Sequence, residues 1–308
     1  MKYVKKIQDL IGHTPLLEIT AFSLPVGVRL FAKLEYFNPG GSIKDRLGMY
    51  LLKQALESGQ LKKGGTIIEP TAGNTGIGLA LAALEYEVNA IFVTPKKFSR
   101  EKQTLMRALG AKVINTPTQL GMEGAIQKAK ELIKCMPDAF YPGQFQNKDN
   151  PETYYESLGP ELYESLDGEI DIFVAGAGSG GTFMGTSRFL KEKNKQVKCV
   201  IVEPEGSILN GGEPGSHRTE GIGMEFMPAF MDLSYIDNIY TIPDEKAFYY
   251  LKELALRQGL LVGSSSGAAM AASLAEAEKA APNTNIVTIF PDSSERYISS
   301  DIYDEVNE

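Results

Sequence analysis

Short, almost wholly apolar runs alternate along the chain with longer segments in which apolar residues recur every three or four positions. The apolar runs predict strands at 66–70, 89–95, 111–116, 171–176, 198–204 and 285–292. The periodic segments predict helices near 43–58, 75–86, 99–109, 121–135, 181–193, 244–258 and 267–280. Strands that alternate with helices indicate βαβ units and a mostly parallel sheet, and the apolar strands indicate that both sheet faces are covered.

Chain length and turn-forming residues indicate two domains. A chain of 308 residues exceeds what one hydrophobic core usually fills. The segment YPGQFQNKDNP (141–151) is rich in turn-formers and separates two blocks of βα units. We therefore expect a boundary near it.

Charge and cysteine content narrow the class of protein. The net charge of -8 argues against a general nucleic-acid binder, which would be basic. Neither the pair Cys135 and Cys199 nor the pair His13 and His217 has metal-ligand spacing, so no metal site is expected. The scarcity of cysteines fits a reducing compartment, and we find neither a signal-peptide h-region nor an apolar run of the roughly 18 residues that span a membrane. A cytoplasmic protein without membrane contact is expected.

The stretch NPGGSIKDRLGMYLL (38–52) places a lysine where a helix begins. Ser42 and Asp45 match a capping box, which puts Lys44 in the first helical turn. The helix dipole disfavours an ammonium there, so a partly buried Lys44 would titrate low, as an amine that attacks a carbonyl must. The alternative is an ordinary solvated lysine.

The turn TAGNTG (71–76) follows a predicted strand and opens a helix. Its free backbone N–H groups and the helix dipole suit an anion, and Thr71, Asn74 and Thr75 add side-chain donors. A substrate carboxylate would fit this turn. A simple helix cap in a tight turn would explain the same residues.

The turn GAGSGGT (176–182) has glycines at the spacing G-x-G-x-x-G, and Glu203 follows at the end of the next strand. This is nearly the complete fingerprint of a dinucleotide-binding unit and by itself predicts an NAD-dependent oxidoreductase. The same backbone can hold a phosphate monoester, to which Ser179 and Thr182 would add hydroxyls. The spacing thus indicates a phosphate and leaves open which molecule carries it.

The segment GLLVGSSSGAAM (259–270) places a serine-rich turn between a predicted strand and an alanine-rich helix. Its serines can cap that helix, or present a neutral hydroxyl to a ring nitrogen. A reactive amine, a carboxylate loop, a phosphate turn and such a hydroxyl together suit pyridoxal 5'-phosphate and an amino-acid substrate.

The segments NPGGSIKDR, TAGNTG, GAGSGGT and GSSSGAA resemble, in order, the signatures of the β-family of pyridoxal-phosphate enzymes, the cysteine synthases and cystathionine β-synthases. The resemblance runs from about residue 8 to 303. It implies fold type II, the fold of the tryptophan synthase β-subunit, with two three-layer α/β domains around mostly parallel, twisted sheets. The expected domains are a smaller mobile one at 47–152 and a larger one formed by 1–46 and 153–308.

The resemblance also implies roles for individual residues. Lys44 is expected to form the Schiff base, Asn74 to bind the cofactor's ring hydroxyl oxygen, and Ser265 to face the pyridine nitrogen. The residues expected to hold the phosphate are Gly178, Ser179, Gly180, Gly181 and Thr182. Those expected to bind the substrate carboxylate are Thr71, Gly73, Thr75 and Gln144.

Two departures from the cysteine synthase pattern favour one branch of the family. Ala72 replaces the serine of TSGNTG, and Glu220 replaces the glutamine of QGIG. A carboxylate at position 220 would bind the amino group of homocysteine and repel HS⁻. The expected reaction therefore makes cystathionine from O-acetyl-L-serine, or L-serine, and L-homocysteine through an aminoacrylate.

Several alternatives stay open at this point. One is a cysteine synthase that uses sulfide, and the others are an NAD-dependent oxidoreductase and a catalytically idle homologue. The resemblance further implies a homodimer and makes a serine acetyltransferase a candidate partner. The chain is shorter than the animal-type enzyme, so neither a haem segment nor a regulatory pair of domains is expected.

Overall fold

The structure, a computed structural model, describes residues 3–71 and 73–303. The chain divides into two compact units. The first comprises the described residues up to Ile11 together with Asn38–Asp149, and the second comprises Gly12–Phe37 together with the described residues from Asn150 onward. The predicted division into a smaller mobile domain at 47–152 and a larger domain formed by 1–46 and 153–308 stays a prediction.

The described ranges contain ten strands and nine α-helices. The strands are β1 (Leu16–Glu18), β2 (Arg29–Leu34), β3 (Thr66–Pro70), β4 (Asn89–Pro95), β5 (Lys112–Thr116), β6 (Ala139–Phe140), β7 (Ile172–Gly176), β8 (Lys198–Pro204), β9 (Asn238–Ile242) and β10 (Asn285–Phe290). The helices are α1 (Lys44–Glu57), α2 (Asn74–Glu85), α3 (Arg100–Ala108), α4 (Gly121–Cys135), α5 (Asp149–Glu156), α6 (Leu158–Ser165), α7 (Gly181–Lys193), α8 (Asp244–Gln258) and α9 (Ser264–Ala277).

The first unit is built on a four-stranded sheet in the order β5-β4-β3-β6, in which every pair is parallel. Ile67 and Phe92 pack with apolar residues of α1, α2 and α3, whereas Ile68 and Val93 pack with those of α4. Alternate residues of one strand thus enter two cores, because side chains of a strand point to opposite faces. This gives the three layers that were predicted.

The second unit contains a six-stranded sheet in the order β1-β2-β10-β7-β8-β9, in which only β1 runs antiparallel to its neighbour. Val174 and Val200 belong to a core that includes residues of α8 and α9. On the other face Phe173 stacks on Phe183 of α7, with ring centroids 6.1 Å apart. Both faces are therefore covered, which explains why the central residues of β7 and β8 are all apolar.

The elements that the sequence did not predict are β1, β2, β6, β9, α5 and α6. The strand β2 carries Lys33, whose ammonium is buried and lies 2.9 Å from Glu161 and 2.7 Å from the Thr14 carbonyl oxygen. The sequence does not show that these distant groups pair with Lys33, so a strand that contains a lysine was not recognised as buried. The strand predicted before the serine-rich turn is wrong, since only Val262 forms an isolated bridge, to Ser293.

Each unit contains a helix pair whose backbones meet at a glycine. In the first unit, a methyl group on Gly78 of α2 would collide with the backbone carbonyl of Lys44, and one on Gly48 of α1 would collide with Gly78. In the second unit, a methyl group on Gly267 of α9 would collide with the carbonyl oxygen of Ala247 in α8. These glycines let two helix starts approach their neighbours closely. No helix within 3–71 and 73–303 has the length and apolar character needed to cross a membrane.

Candidate active site

The lysine turn of the first unit holds Lys44 at the first position of α1. The cap position is Ile43, so the predicted capping box with Ser42 as the cap residue is wrong. Ser42 instead accepts a hydrogen bond from the Lys44 amide at 3.2 Å, and buried Asp45 reaches back to accept one from the Gly40 amide at 2.5 Å. The turn is therefore fixed on both sides of Lys44, which is itself half-buried.

The TAGNTG turn joins β3 to α2, whose first residues are Asn74 and Thr75. Thr75 donates its hydroxyl hydrogen to the Gln144 side-chain oxygen at 2.9 Å, and the Gly73 amide donates to the Thr71 hydroxyl at 3.4 Å. A methyl group on Gly73 would meet nothing within 4 Å, so the mouth of the turn is open. Ala72 lies outside the described residues.

The helix crossing of the first unit brings the lysine turn to the TAGNTG turn. Gly78, whose missing side chain makes room for the Lys44 carbonyl, lies one helical turn after Asn74. The structure thus places Lys44 beside the helix that carries Asn74 and Thr75, and Thr75 beside Gln144. The lysine turn and the predicted carboxylate loop therefore belong to the same unit.

Glu69 is a site-forming residue that the sequence analysis missed. It is 1% exposed at the end of β3, and its carboxylate accepts hydrogen bonds from the Gly143 amide at 2.8 Å and the Gln144 amide at 3.4 Å. Burial raises the pKa of Glu69 to about 7, against the opposing effect of the two amides. The available signal was a single acid within the apolar run TIIEP.

The glycine-rich turn of the second unit joins β7 to α7. Gly180 is the cap residue, with the left-handed φ of 83° that glycine permits, and α7 begins at Gly181. The first amides of such a helix have no partner within the helix and attract an anion. Methyl groups on Gly178 and Gly181 would collide with the Gly221 carbonyl and the Asn150 side chain, respectively.

Two hydroxyls border that turn. Ser179 is 5% exposed and accepts a hydrogen bond from the side-chain nitrogen of Asn150 at 3.0 Å. Thr182 is the second residue of α7 and is 9% exposed. Asn150 is a second residue that the sequence analysis missed, because a turn-rich segment gives no sign of which of its polar side chains points inward.

The serine-rich turn lies close to the EGIG segment. Ser265 is the second residue of α9 and is buried, and a methyl group on Gly221 would lie 3.9 Å from its hydroxyl oxygen. The exposed residue Glu220 donates its backbone N–H to the Ser264 hydroxyl at 3.1 Å. The helix starts three residues before the predicted position, because Gly263 is its cap residue and the serines belong to its first turn.

The second unit therefore offers an anion site and a neutral hydroxyl within one cluster, since the backbone of Gly221 touches both turns. These groups fit a phosphate monoester joined to a ring that carries a nitrogen. They do not fit the dinucleotide pattern, in which the acid of the next strand binds a ribose. Glu203 instead accepts the amides of Leu209 and Asn210 at 2.9 and 3.0 Å and the Thr241 hydroxyl at 3.0 Å.

Comparison with known proteins identifies the class. Residues 7–292 match the family model described as "Pyridoxal-phosphate dependent enzyme". The chain belongs to this family of pyridoxal-phosphate dependent enzymes, so the predicted family and cofactor are confirmed.

Individual relatives are similar over nearly the whole chain. The O-acetylserine dependent cystathionine beta-synthase of Bacillus subtilis is 62% identical, over 99% of this chain and 99% of its own. A cysteine synthase of Helicobacter pylori is 53% identical, over 98% and 100%. The crystal structure of O-acetylserine dependent cystathionine beta-synthase from Helicobacter pylori superposes with a TM-score of 0.94, at 52% identity, over 98% of this chain and 100% of that one. This likeness confirms the predicted α/β fold class.

Proposed function

We propose that the chain catalyses a pyridoxal-phosphate dependent β-replacement that joins O-acetyl-L-serine, or L-serine, to L-homocysteine and yields cystathionine. The similarity to the cystathionine beta-synthase of Bacillus subtilis, at 62% identity, supports this reaction. The similarity to a cysteine synthase, at 53% identity, favours sulfide as the second candidate acceptor. The observation that carries the proposal is the contact of Thr75 with Gln144, because Thr75 belongs to the helix that packs on Lys44.

In this proposal the first unit binds and activates the donor amino acid. Thr71, Gly73, Thr75 and Gln144 bind its carboxylate through hydroxyl, amide and carboxamide donors. Lys44 would hold the cofactor through its amine and, when that amine is free, would remove the proton from Cα and later return it. Asn74 would donate a hydrogen bond to the ring hydroxyl oxygen of the cofactor.

The second unit carries the residues that would hold the cofactor's phosphate and pyridine nitrogen. The amides and hydroxyls of 178–182 would bind the phosphate at the start of α7, where the helix dipole would stabilise its charge. Ser265 would offer a neutral hydroxyl to the pyridine nitrogen. When bound, pyridoxal phosphate supplies an aldehyde that reacts with amines and a ring that delocalises the electrons left at Cα.

Glu220 is proposed to select the acceptor. Its carboxylate is exposed, while the backbone beside it is held in place, because Asp244 accepts hydrogen bonds from the Thr219 amide at 2.9 Å and the Thr219 hydroxyl at 2.6 Å. A carboxylate carried by this fixed backbone can pair with the amino group of homocysteine and would repel HS⁻.

The test is a side-by-side assay of O-acetyl-L-serine and L-serine as donors with homocysteine and sulfide as acceptors. We expect the highest kcat/KM for the pair O-acetyl-L-serine and homocysteine. A clear preference for sulfide would favour the cysteine synthase, and absence of turnover with every pair would overturn the β-replacement.

We also propose that the enzyme acts as a homodimer in the cytoplasm. Cys135 and Cys199 are both free thiols, which fits a reducing compartment. Sedimentation would give the oligomeric state, and the addition of a serine acetyltransferase in the same experiment would show whether that candidate partner binds.

A further inference from the structure

The loop that carries Gln144 is fixed by one carboxylate from a distant strand. Gly143 and Gln144 both donate their amides to Glu69, which precedes them by 74 and 75 residues. The loop then closes on itself, since the Asn147 amide donates to the Gly143 carbonyl at 3.0 Å and the Asn147 side chain donates to the Pro142 carbonyl at 3.1 Å. The Glu69 carboxylate therefore fixes the position of the Gln144 backbone.

The other contact of Gln144 faces the TAGNTG turn. Its side-chain oxygen accepts the Thr75 hydroxyl at 2.9 Å, and Thr75 follows Glu69 by only six residues. Glu69 and Thr75 thus hold the backbone and the side chain of the same residue from the two ends of one strand-to-helix turn. A shift of the loop away from Glu69 would draw the Gln144 carboxamide away from Thr75.

We propose that Glu69 in its ionised form is a positioning residue for the donor amino acid, which holds the Gln144 loop in its binding-competent place and releases it on protonation. The proposal rests on the proposed function, in which Gln144 and Thr75 bind the substrate carboxylate. It adds a group that does not touch the substrate and acts on substrate binding through two backbone amides.

The burial of Glu69 moves its titration into the physiological pH range. With a pKa raised to about 7, Glu69 changes its charge near neutral pH. Among the described residues, the titratable group that interacts with it is Tyr141, at the start of the same loop, whose pKa is itself raised by burial and by the Glu69 carboxylate. Tyr141 therefore stays neutral over this range, and Glu69 is the group that switches. A charged acceptor binds amides more strongly than a neutral one, so protonation loosens the loop.

The experiment compares the holoenzyme with Glu69→Gln across about pH 6 to 8. The probe is L-alanine, which has an α-carboxylate but no leaving group on Cβ, and its dissociation constant is read from the change in cofactor absorbance. We expect the variant to bind about tenfold more weakly at about pH 8, where wild-type Glu69 is ionised. The ratio of the two constants should fall towards one at about pH 6, because protonated glutamate and glutamine resemble each other. Titration of the ligand itself cancels in this ratio.

Two further measurements separate the outcomes. Gln144→Ala should weaken L-alanine binding at every pH, and if it does not, the proposed carboxylate site fails. If Gln144→Ala weakens binding while the ratio for Glu69→Gln stays constant with pH, only the role of Glu69 is refuted. Should Glu69→Gln not fold, hydrogen exchange of the Gly143 and Gln144 amides in the wild type decides, since their protection must decrease as the pH falls below about 7.

Discussion

Both units end an apolar strand with the dipeptide Glu-Pro and bury its carboxylate, but the two carboxylates hold very different loops. Glu69 accepts two amides that lie 74 and 75 residues away and belong to the loop of Gln144. Glu203 accepts two amides only six and seven residues away, together with a hydroxyl from β9. A buried glutamate at a strand end therefore stabilises a local loop in the second unit. In the first unit it connects the strand to the distant loop of Gln144.

The two units are also alike at the starts of two helices. In each unit a glycine lets a helix approach the backbone of its neighbour, Gly78 beside Lys44 and Gly267 two residues after Ser265. The first unit positions an amine in this way and the second a hydroxyl. Substitutions in matched pairs can therefore separate the covalent chemistry proposed for the first unit from the cofactor binding proposed for the second.

The largest effect is expected for Lys44→Ala compared with Gly181→Ala. Lys44→Ala should lower kcat by at least about 1,000-fold, because it removes the amine proposed to move the Cα proton, while the phosphate turn should still retain the cofactor. Gly181→Ala should lose the cofactor, since its methyl group collides with the Asn150 side chain that supports Ser179. Turnover and bound cofactor are measured after gel filtration.

Lys53→Ala is the control for this pair, because Lys53 is an exposed lysine of the same helix. It should keep both turnover and cofactor. Full activity in Lys44→Ala would remove the basis of the proposed mechanism.

The second effect concerns stability at the two glycine crossings. Gly78→Ala and Gly267→Ala should each lower the free energy of unfolding by about 3 kcal/mol, since a methyl group would overlap a backbone carbonyl that cannot turn aside. Denaturant unfolding of the holoenzyme measures it. Gly73→Ala, whose methyl group would meet nothing within 4 Å, is the matched control and should change stability little. Equal stability of all three variants would show that the helices can separate freely.

The glycine-rich turn of the second unit and the two buried glutamates also show what could be predicted from the sequence. The turn 176–182 was predictable because a strand, its glycines and the next helix are adjacent in the chain, and the structure places α7 at the predicted residues 181–193. The role of Glu69 was not predictable, since its partners lie more than 70 residues away and only the folded sheet brings them together. The acid Glu203 was in the predicted place but has another partner, because spacing gives the position of a carboxylate and not its direction.

The third effect concerns the two buried acids, and for Glu69 it is a dependence of stability on pH. Because the pKa of Glu69 rises from 4.5 to about 7 on folding, Glu69 is protonated in the folded state and ionised in the unfolded state at pH values between these two. Stability therefore falls as pH rises through this window, by about 3 kcal/mol at roughly 1.4 kcal/mol per pH unit. Glu69→Gln should lack this fall, and at about pH 8 it should be at least as stable as the wild type.

Glu203→Gln provides the contrast. Glutamine has one acceptor oxygen where Glu203 uses both to hold two amides and a hydroxyl, so this variant should lose about 2 kcal/mol. Unfolding by urea between about pH 5 and pH 8 measures both variants. Parallel pH profiles of Glu69→Gln and the wild type would show that Glu69 does not titrate in this window.

The smallest effect is expected for Glu220 of the second unit, the residue proposed to select the acceptor. Glu220→Gln should lower kcat/KM for homocysteine by about fivefold, which is about 1 kcal/mol and typical of one ion pair at an exposed site. Its effect on sulfide should be smaller or opposite, because the variant removes a charge that repels HS⁻. Glu225→Gln, an exposed acid in the same segment, is the control for a general change of charge. Equal losses with both acceptors would mean that Glu220 supports the loop and does not select the acceptor, and the preference for homocysteine would then need another source among the residues near Gly221.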